Sequence, residues 1–173
     1  MGMTEFTKVL RKLKGPGRCA AVIVAAGSAA RMGGIDKVMA SIGGEPMIVR
    51  TVRAFQNCDA IRQIVIVTRQ DLIVPISDLC HGFDKVQAVM VGGSSRQESV
   101  EIGLGALSSN MKLVAVQDGA RPLITGAVID RTVRAAHTYG AAAPAIPVKD
   151  TIKVVQGGLV AETPDRSTLR AVQ

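Results

Sequence analysis

A three-layer α/β fold, doubly wound around a mainly parallel sheet, is the architecture this sequence predicts. Short apolar runs without alternation recur along the 173 residues and read as strands buried on both faces. Segments with apolar residues at helical spacing separate them. Alternation of strand and helix is the order that yields a parallel sheet covered by helices on both sides. Aromatics make up only 2% of a chain that is 47% hydrophobic. The core must then be built from Ala, Val, Ile and Leu, which suits helices on a parallel sheet better than an aromatic-rich sandwich.

Residues 20–25 form the first strand, a continuous apolar run, and the glycine-containing stretch 26–34 follows as a loop. Pro46, favoured in a first turn, opens a helix whose Ile48, Val49, Val52 and Phe55 keep helical spacing. Residues 64–68 are the second buried strand and 71–80 a short helix. Residues 86–91 are the third strand, ended by Gly92-Gly93. Ser95-Arg96-Gln97-Glu98 has the S-x-x-E form of a capping box, and Val100, Leu104 and Leu107 extend it as an amphipathic helix. Residues 113–117 are the fourth strand, with Asp118 at its carboxyl end. Thr125 caps a helix carrying Val128, Ile129, Val133 and Ala136, stopped at Gly140, and 141–148 is extended. Residues 151–155 and 159–163, joined across Gln156-Gly157-Gly158, read as a hairpin. Two strands alone are marginal in water, so the hairpin is expected to pack on a second subunit.

Composition narrows the function classes. Cys19, Cys58 and Cys80 are odd in number, far apart and without a C-x-x-C pair. That argues against zinc and a disulfide framework, and for reduced thiols in a cytoplasm. The longest apolar stretch, residues 19–26, is far too short to cross a bilayer, and no secretory signal is legible. The formal charge is +7, but four of those charges lie in residues 1–18, where Lys8, Arg11, Lys12, Lys14 and Arg18 outnumber Glu5. This leader reads as a solvated extension. With no Trp and one Tyr the chain lacks the residues on which bases stack, so neither a nucleic-acid nor a membrane partner is expected.

Ligands of doubly wound sheets sit beyond the carboxyl ends of the strands, where residues 27–37, 92–99 and 118–121 fall. Gly27, without a Cβ, lets the Ala25-Ala26-Gly27 backbone approach a ligand, and peptide N–H groups there can bind phosphate oxygens. Arg31 adds a forked cation and Lys37 a mobile point charge. Neither G-x-x-x-x-G-K-[ST] nor G-x-G-x-x-G occurs, so a Walker A or dinucleotide site is not supported. Taken alone, this set is equally an ordinary glycine-rich turn with two surface cations. Asp118 at a strand end can hold Mg²⁺ through its carboxylate, with Arg121 placed for a second anion, or it can simply cap its own turn. Taken alone, residues 147–153 and Asp165-Arg166 read as a polar strand edge or turn.

In combination these features resemble a known family. Val24-Ala25-Ala26-Gly27 with Arg31-Met32-Gly33 and Lys37 resembles the nucleoside-triphosphate signature of sugar-phosphate nucleotidylyltransferases. Gly92-Gly93, Arg96 and Ser99, then Asp118 and Ala120-Arg121-Pro122, then Pro147-Val148-Lys149-Asp150-Thr151-Ile152-Lys153, narrow the likeness to the 2-C-methyl-D-erythritol 4-phosphate cytidylyltransferases. It runs from about Ala20 to the last residue. The resemblance implies a Rossmann-like nucleotidylyltransferase domain over 19–148, a β-hairpin dimerisation arm over 149–168, and the start of a return to the core over 169–173. It implies transfer of CMP from CTP to 2-C-methyl-D-erythritol 4-phosphate with release of pyrophosphate, in isoprenoid precursor biosynthesis.

By the same resemblance, Ala25, Ala26 and Gly27 line the CTP site, and Arg31 and Lys37 act catalytically on its phosphates. Gly93 and Ser99 recognise the cytosine, and Asp118 binds Mg²⁺. Arg121, Thr151 and Arg166 hold the acceptor, a sugar-alcohol phosphate, with Arg166 reaching into the neighbour of a homodimer. The chain departs from the family pattern twice. The stretch from Arg31 to Lys37 is short, with Asp36 where a proline often precedes the lysine. Family members also continue past the position of Gln173 with a Thr-Pro-Gln segment and a second catalytic lysine, so the chain is expected to be a truncated copy. The alternatives are a cytidylyltransferase for ribitol 5-phosphate or another sugar phosphate, and a non-catalytic nucleotide-binding module.

Overall fold

The computed structural model describes residues 18–27 and 36–172. Apart from Arg18, the basic leader lies outside the described residues, as does Arg31. The chain falls into two compact units, one ending at Gly140 and one starting at Ala141.

The first unit runs β1 (Cys19–Ala25), β2 (Ser41–Ile42), β3 (Glu45–Pro46), α1 (Met47–Gln56), β4 (Ile61–Thr68), α2 (Ile73–Cys80), β5 (Val86–Val91), α3 (Arg96–Gly105), β6 (Leu113–Asp118) and α4 (Gly126–Tyr139). Strands β5-β4-β1-β6 form a sheet in that order, every neighbouring pair parallel. The central strands β1 and β4 are buried on both faces, which is why their sequences do not alternate. Ala21, Ile23 and Ile66 pack with Ile48, Val52 and Phe55 of α1, Ile76 of α2, and Ile129 and Val133 of α4. Val22, Val65 and Val67 pack toward the opposite layer with Ala106 and Leu107, which follow α3. Helices on both faces of a parallel sheet give the predicted doubly wound, three-layer arrangement.

Two elements were less legible. Strand β4 begins at Ile61 rather than at 64, because Arg62 and Gln63 interrupt the apolar run. Gln63 is nonetheless buried: its Oε1 accepts from the Ser108 N–H at 3.0 Å and its Nε2 donates to the Ala106 carbonyl at 3.4 Å. The β2–β3 hairpin was not anticipated. It turns on Gly43 and Gly44 at φ 57° and 83°, the paired positive values of a two-residue type I′ turn. Among the described residues no helix is long and apolar enough to cross a membrane.

The second unit holds β7 (Ala145–Pro147), β8 (Val154–Gln156), β9 (Leu159–Glu162) and β10 (Arg170–Val172). Strands β8 and β9 form the predicted hairpin, closed by Gly157 and Gly158 at φ 57° and 81°. Strand β7 pairs antiparallel with β10, so residues from 141 group with the hairpin and the division falls at Gly140 rather than after Val148.

One glycine decides how closely α3 lies on the sheet. A Cβ at Gly103 would sit 2.4 Å from Val22 Cγ1 and 3.0 Å from Val67 Cγ2, both in fully buried residues. Gly→Ala inside a helix ordinarily stabilises by about 1 kcal/mol. At Gly103 the overpacking of about 1–3 kcal/mol outweighs that gain, so Gly103→Ala is expected to lower the urea midpoint. Gly105→Ala in the same helix meets nothing within 4 Å and should leave the midpoint unchanged or raise it.

Candidate active site

The carboxyl ends of the sheet strands open onto a cleft of about 530 Å³. Ala25 ending β1, Ala26 and Gly27 after it, Lys37, Gly93 after β5, Ser99 on α3 and Asp118 ending β6 all line it. Seven residues singled out from sequence thus meet in one place, although up to 93 positions separate them in the chain.

The turn from β5 into α3 is locked by side chains. Ser95 caps the helix, its Oγ accepting from the Glu98 N–H at 3.1 Å. The reciprocal bond of the expected capping box lands one residue early: Glu98 Oε2 accepts from the Ser94 N–H at 2.7 Å and the Ser94 hydroxyl at 2.8 Å. Ser94 thereby holds the Glu98 carboxyl below the usual carboxylate range. Ser99, only 1% exposed, donates to the Ser95 carbonyl at 2.9 Å and accepts from the Gly93 N–H at 3.1 Å. A Cβ at Gly92 would lie 2.5 Å from the Ala26 Cβ and 2.8 Å from Ser99 Oγ, so glycine is what lets the segments that follow β1 and β5 meet.

Asp118 is held between two arginines. Its Oδ1 accepts from Arg96 Nε at 3.2 Å and Nη2 at 2.9 Å, and its Oδ2 accepts from Arg121 Nε at 3.0 Å. The turn beneath it is anchored from inside: the fully buried Thr51 hydroxyl reaches the Gly119 carbonyl at 2.8 Å, and the Gly119 N–H donates to the Val24 carbonyl at 2.7 Å. Arg96 also lines the cleft. In the sequence it stands within a motif and carries no role of its own. Its place in the first turn of α3, where a helix presents N–H groups to anions, is the signal that could have found it.

Lys37 sits in a turn organised by Asp36. Asp36 Oδ1 accepts from the Val38 N–H at 3.1 Å, and its carbonyl accepts from Ala40 at 2.9 Å. The Val38 carbonyl in turn accepts from the Ile48 N–H at 2.9 Å, tying the turn to α1. Arg31 falls outside the described residues. Thr151 and Arg166 belong to the second unit, where Arg166 Nη1 donates to the Lys149 carbonyl at 3.1 Å.

Among the described residues no group of three or more His, Cys, Asp or Glu side chains is assembled to hold a metal. Two carboxylates line the cleft, Asp36 and Asp118. Asp118 retains lone pairs beyond its three arginine bonds. A single hard carboxylate fits Mg²⁺, which keeps waters and takes further oxygens from phosphates rather than from a protein cage. The backbone at Gly27, a helix N-terminus, Lys37 and Arg96 together suit a polyphosphate.

The profile of the family described as 2-C-methyl-D-erythritol 4-phosphate cytidylyltransferase, IspD, matches residues 19–173. A protein of that description from Caldanaerobacter subterraneus subsp. tengcongensis is 38% identical over 162 residues, covering 88% of this chain and 70% of the relative. One from Symbiobacterium thermophilum is 44% identical over 154 residues, covering 88% and 64%. The chain thus spans roughly two thirds of the length of these relatives. The crystal structure of 4-diphosphocytidyl-2C-methyl-D-erythritol synthase from Anaerococcus prevotii superposes with a TM-score of 0.81 at 29% identity, covering 91% of this chain and 68% of that one. The 2-C-methyl-D-erythritol 4-phosphate cytidylyltransferase of Thermus thermophilus superposes with a TM-score of 0.65 at 28% identity, covering 90% and 68%.

Proposed function

Because the chain belongs to the 2-C-methyl-D-erythritol 4-phosphate cytidylyltransferase family, we propose that it transfers CMP from CTP to 2-C-methyl-D-erythritol 4-phosphate, releasing pyrophosphate on the route to isoprenoid precursors. The observation that carries this reading is the single cleft uniting Ala25–Gly27, Lys37, Gly93, Ser99 and Asp118.

The acceptor's phosphate oxygen attacks the α-phosphorus of CTP. The bond from that phosphorus to the α–β bridging oxygen breaks, and its electrons leave with pyrophosphate. The attacking group is already an anion, so no general base is required. The protein's task is alignment and neutralisation of crowded negative charge. The backbone of Ala25–Gly27 seats the triphosphate, Lys37 and Arg31 meet the charge that builds on it, and Gly93 and Ser99 face the base. Asp118 holds Mg²⁺, which when bound offsets the charge of the phosphates. The acceptor-phosphate roles of Arg121, Thr151 and Arg166 are taken from the resemblance, with Arg166 acting from the neighbouring subunit. Cys19, Cys58 and Cys80, all free and buried, suit a reducing cytoplasm.

Calorimetric titration tests the nucleotide half of this reading. CTP should bind roughly 10²-fold or more tightly than UTP, because a site built to hydrogen-bond one base leaves polar groups unpaired with the other. Equal affinity for CTP and UTP would contradict it.

A homodimer is part of the same proposal. The hairpin leaves Val155 at 58%, Leu159 at 77% and Val160 at 61% exposure, apolar surface that a second copy's hairpin would cover. Sedimentation should show twice the chain mass, and Leu159→Lys with Val160→Lys should halve it while the circular dichroism spectrum stays unchanged. A monomeric wild type would remove the hairpin-mediated dimer.

A further inference from the structure

Arg69 follows β4 and takes no part in the features assigned above. Its guanidinium Nη1 lies 2.6 Å from Asp36 Oδ2, an oxygen closed off from solvent for which this cation is the ionic partner. The same nitrogen is 3.5 Å from the Gly27 carbonyl. The other side of the fork meets Asp71, Nε to Oδ1 at 3.0 Å and Nη2 to Oδ2 at 2.8 Å. These two carboxylates differ in setting. The Asp71 side chain is 64% exposed and that of Asp36 only 18%. An exposed pair contributes little, whereas a carboxylate withdrawn from water depends on its cation.

What Asp36 does with its remaining groups gives the contact its consequence. Its other oxygen and its carbonyl hold the N–H groups of Val38, Met39 and Ala40, so the backbone on either side of Lys37 is shaped by Asp36. Gly27 and Asp36 also flank residues 28–35, the stretch that contains Arg31. One guanidinium therefore touches the two residues that flank this stretch, one of them the direct neighbour of Lys37, and it does so from a strand end of the sheet.

We propose that Arg69 is a positioning residue: by gripping Asp36 and the Gly27 carbonyl it fixes the turn that presents Lys37 to the cleft. This rests on the reading of the cleft as a CTP site. Arg69 touches no reacting atom, and it reaches Lys37 only through these contacts, chiefly the one to Asp36. Asp71 steers the guanidinium from the solvent side and is dispensable.

The test compares Arg69→Gln, Asp36→Asn, the double variant and Asp71→Asn in the full chain, by hydrogen exchange and by steady-state kinetics. Exchange reports on the turn whether or not the protein is catalytic. In both single variants the amides of Val38, Met39 and Ala40 should exchange at least about 10-fold faster, while those of β1 and β4 stay as slow as in wild type. Turnover should fall roughly 10–10²-fold with the acceptor KM unchanged, the scale expected when a group is misplaced rather than removed. The double variant should be no worse than either single one, since the contact is already lost. Asp71→Asn should match wild type in both readouts, and Arg69→Lys should recover part of the loss. Wild-type exchange at residues 38–40 in Arg69→Gln overturns the inference and leaves the cytidylyltransferase reading intact. A wild-type chain that neither binds CTP nor releases pyrophosphate overturns that reading, and with it the role of the turn. An Asp71→Asn effect as large as that of Asp36→Asn would assign the function to the exposed pair instead and also refute the proposal.

Discussion

Lys37→Ala is expected to lower turnover by roughly 10²–10³-fold, the scale of losing one transition-state stabiliser. Lys37 lines the cleft, on a turn whose backbone is bonded by Asp36 and joined to α1 through Val38 and Ile48. Those bonds are made by main-chain groups and by Asp36, so alanine at position 37 keeps all of them. The side chain itself is exposed and makes no core contact. Thermal unfolding should therefore be unchanged while turnover collapses. Arg31→Ala is expected to behave alike, an expectation that comes from the resemblance. Parallel measurement of turnover and melting temperature checks both, and a variant with unchanged turnover removes that residue from the catalytic set.

Asp118→Asn should produce the second large loss, roughly 10²-fold in turnover at fixed Mg²⁺, with a raised Mg²⁺ requirement. The amide preserves shape but lacks the charge that attracts a hard cation. It also leaves Arg96 and Arg121 without the carboxylate they share, placing two uncompensated cations beside the cleft. The Asp118 side chain is 35% exposed and these are surface pairs, so folding should shift by about 1 kcal/mol or less. Thr51 and the Gly119 backbone, rather than the carboxylate, hold the turn. Arg96→Ala separates two explanations: it removes one cation and leaves the Asp118 carboxylate in place. A Mg²⁺ titration identical for wild type and Asp118→Asn would place the metal elsewhere.

Much of this was legible in the chain, for identifiable reasons. Strands β1 and β4 are legible because burial on both faces demands unbroken apolar runs, whereas β5 and β6 keep apolar runs at the sheet edges, where Val91, Val114 and Val116 stay exposed. Thr125 and Ser95 marked the starts of α4 and α3 because orphan N–H groups need a side-chain acceptor, and both supply one. What stayed hidden depends on partners distant in sequence. Gln63 is a polar residue buried in β4, satisfied by Ala106 and Ser108 in the segment that follows α3. The β2–β3 hairpin carries the glycine pair that also marks the β8–β9 turn, but its strands are two residues long, too short to show alternation. Arg69 looks like any charged residue after a strand, and only the fold brings it to Asp36, 33 positions earlier. The resemblance supplied roles that geometry alone leaves open, such as Gly93 and Ser99 at the base. The structure adds Arg96 to the residues that line the cleft.

Pyrophosphate release by the chain, given CTP, Mg²⁺ and either 2-C-methyl-D-erythritol 4-phosphate or ribitol 5-phosphate, tests the proposed reaction most directly. Release is expected to require both CTP and 2-C-methyl-D-erythritol 4-phosphate and to be lost in Lys37→Ala. CTP binding without pyrophosphate from either acceptor would contradict the transferase reading and indicate a nucleotide-binding module, and release with ribitol 5-phosphate alone would contradict the assigned acceptor.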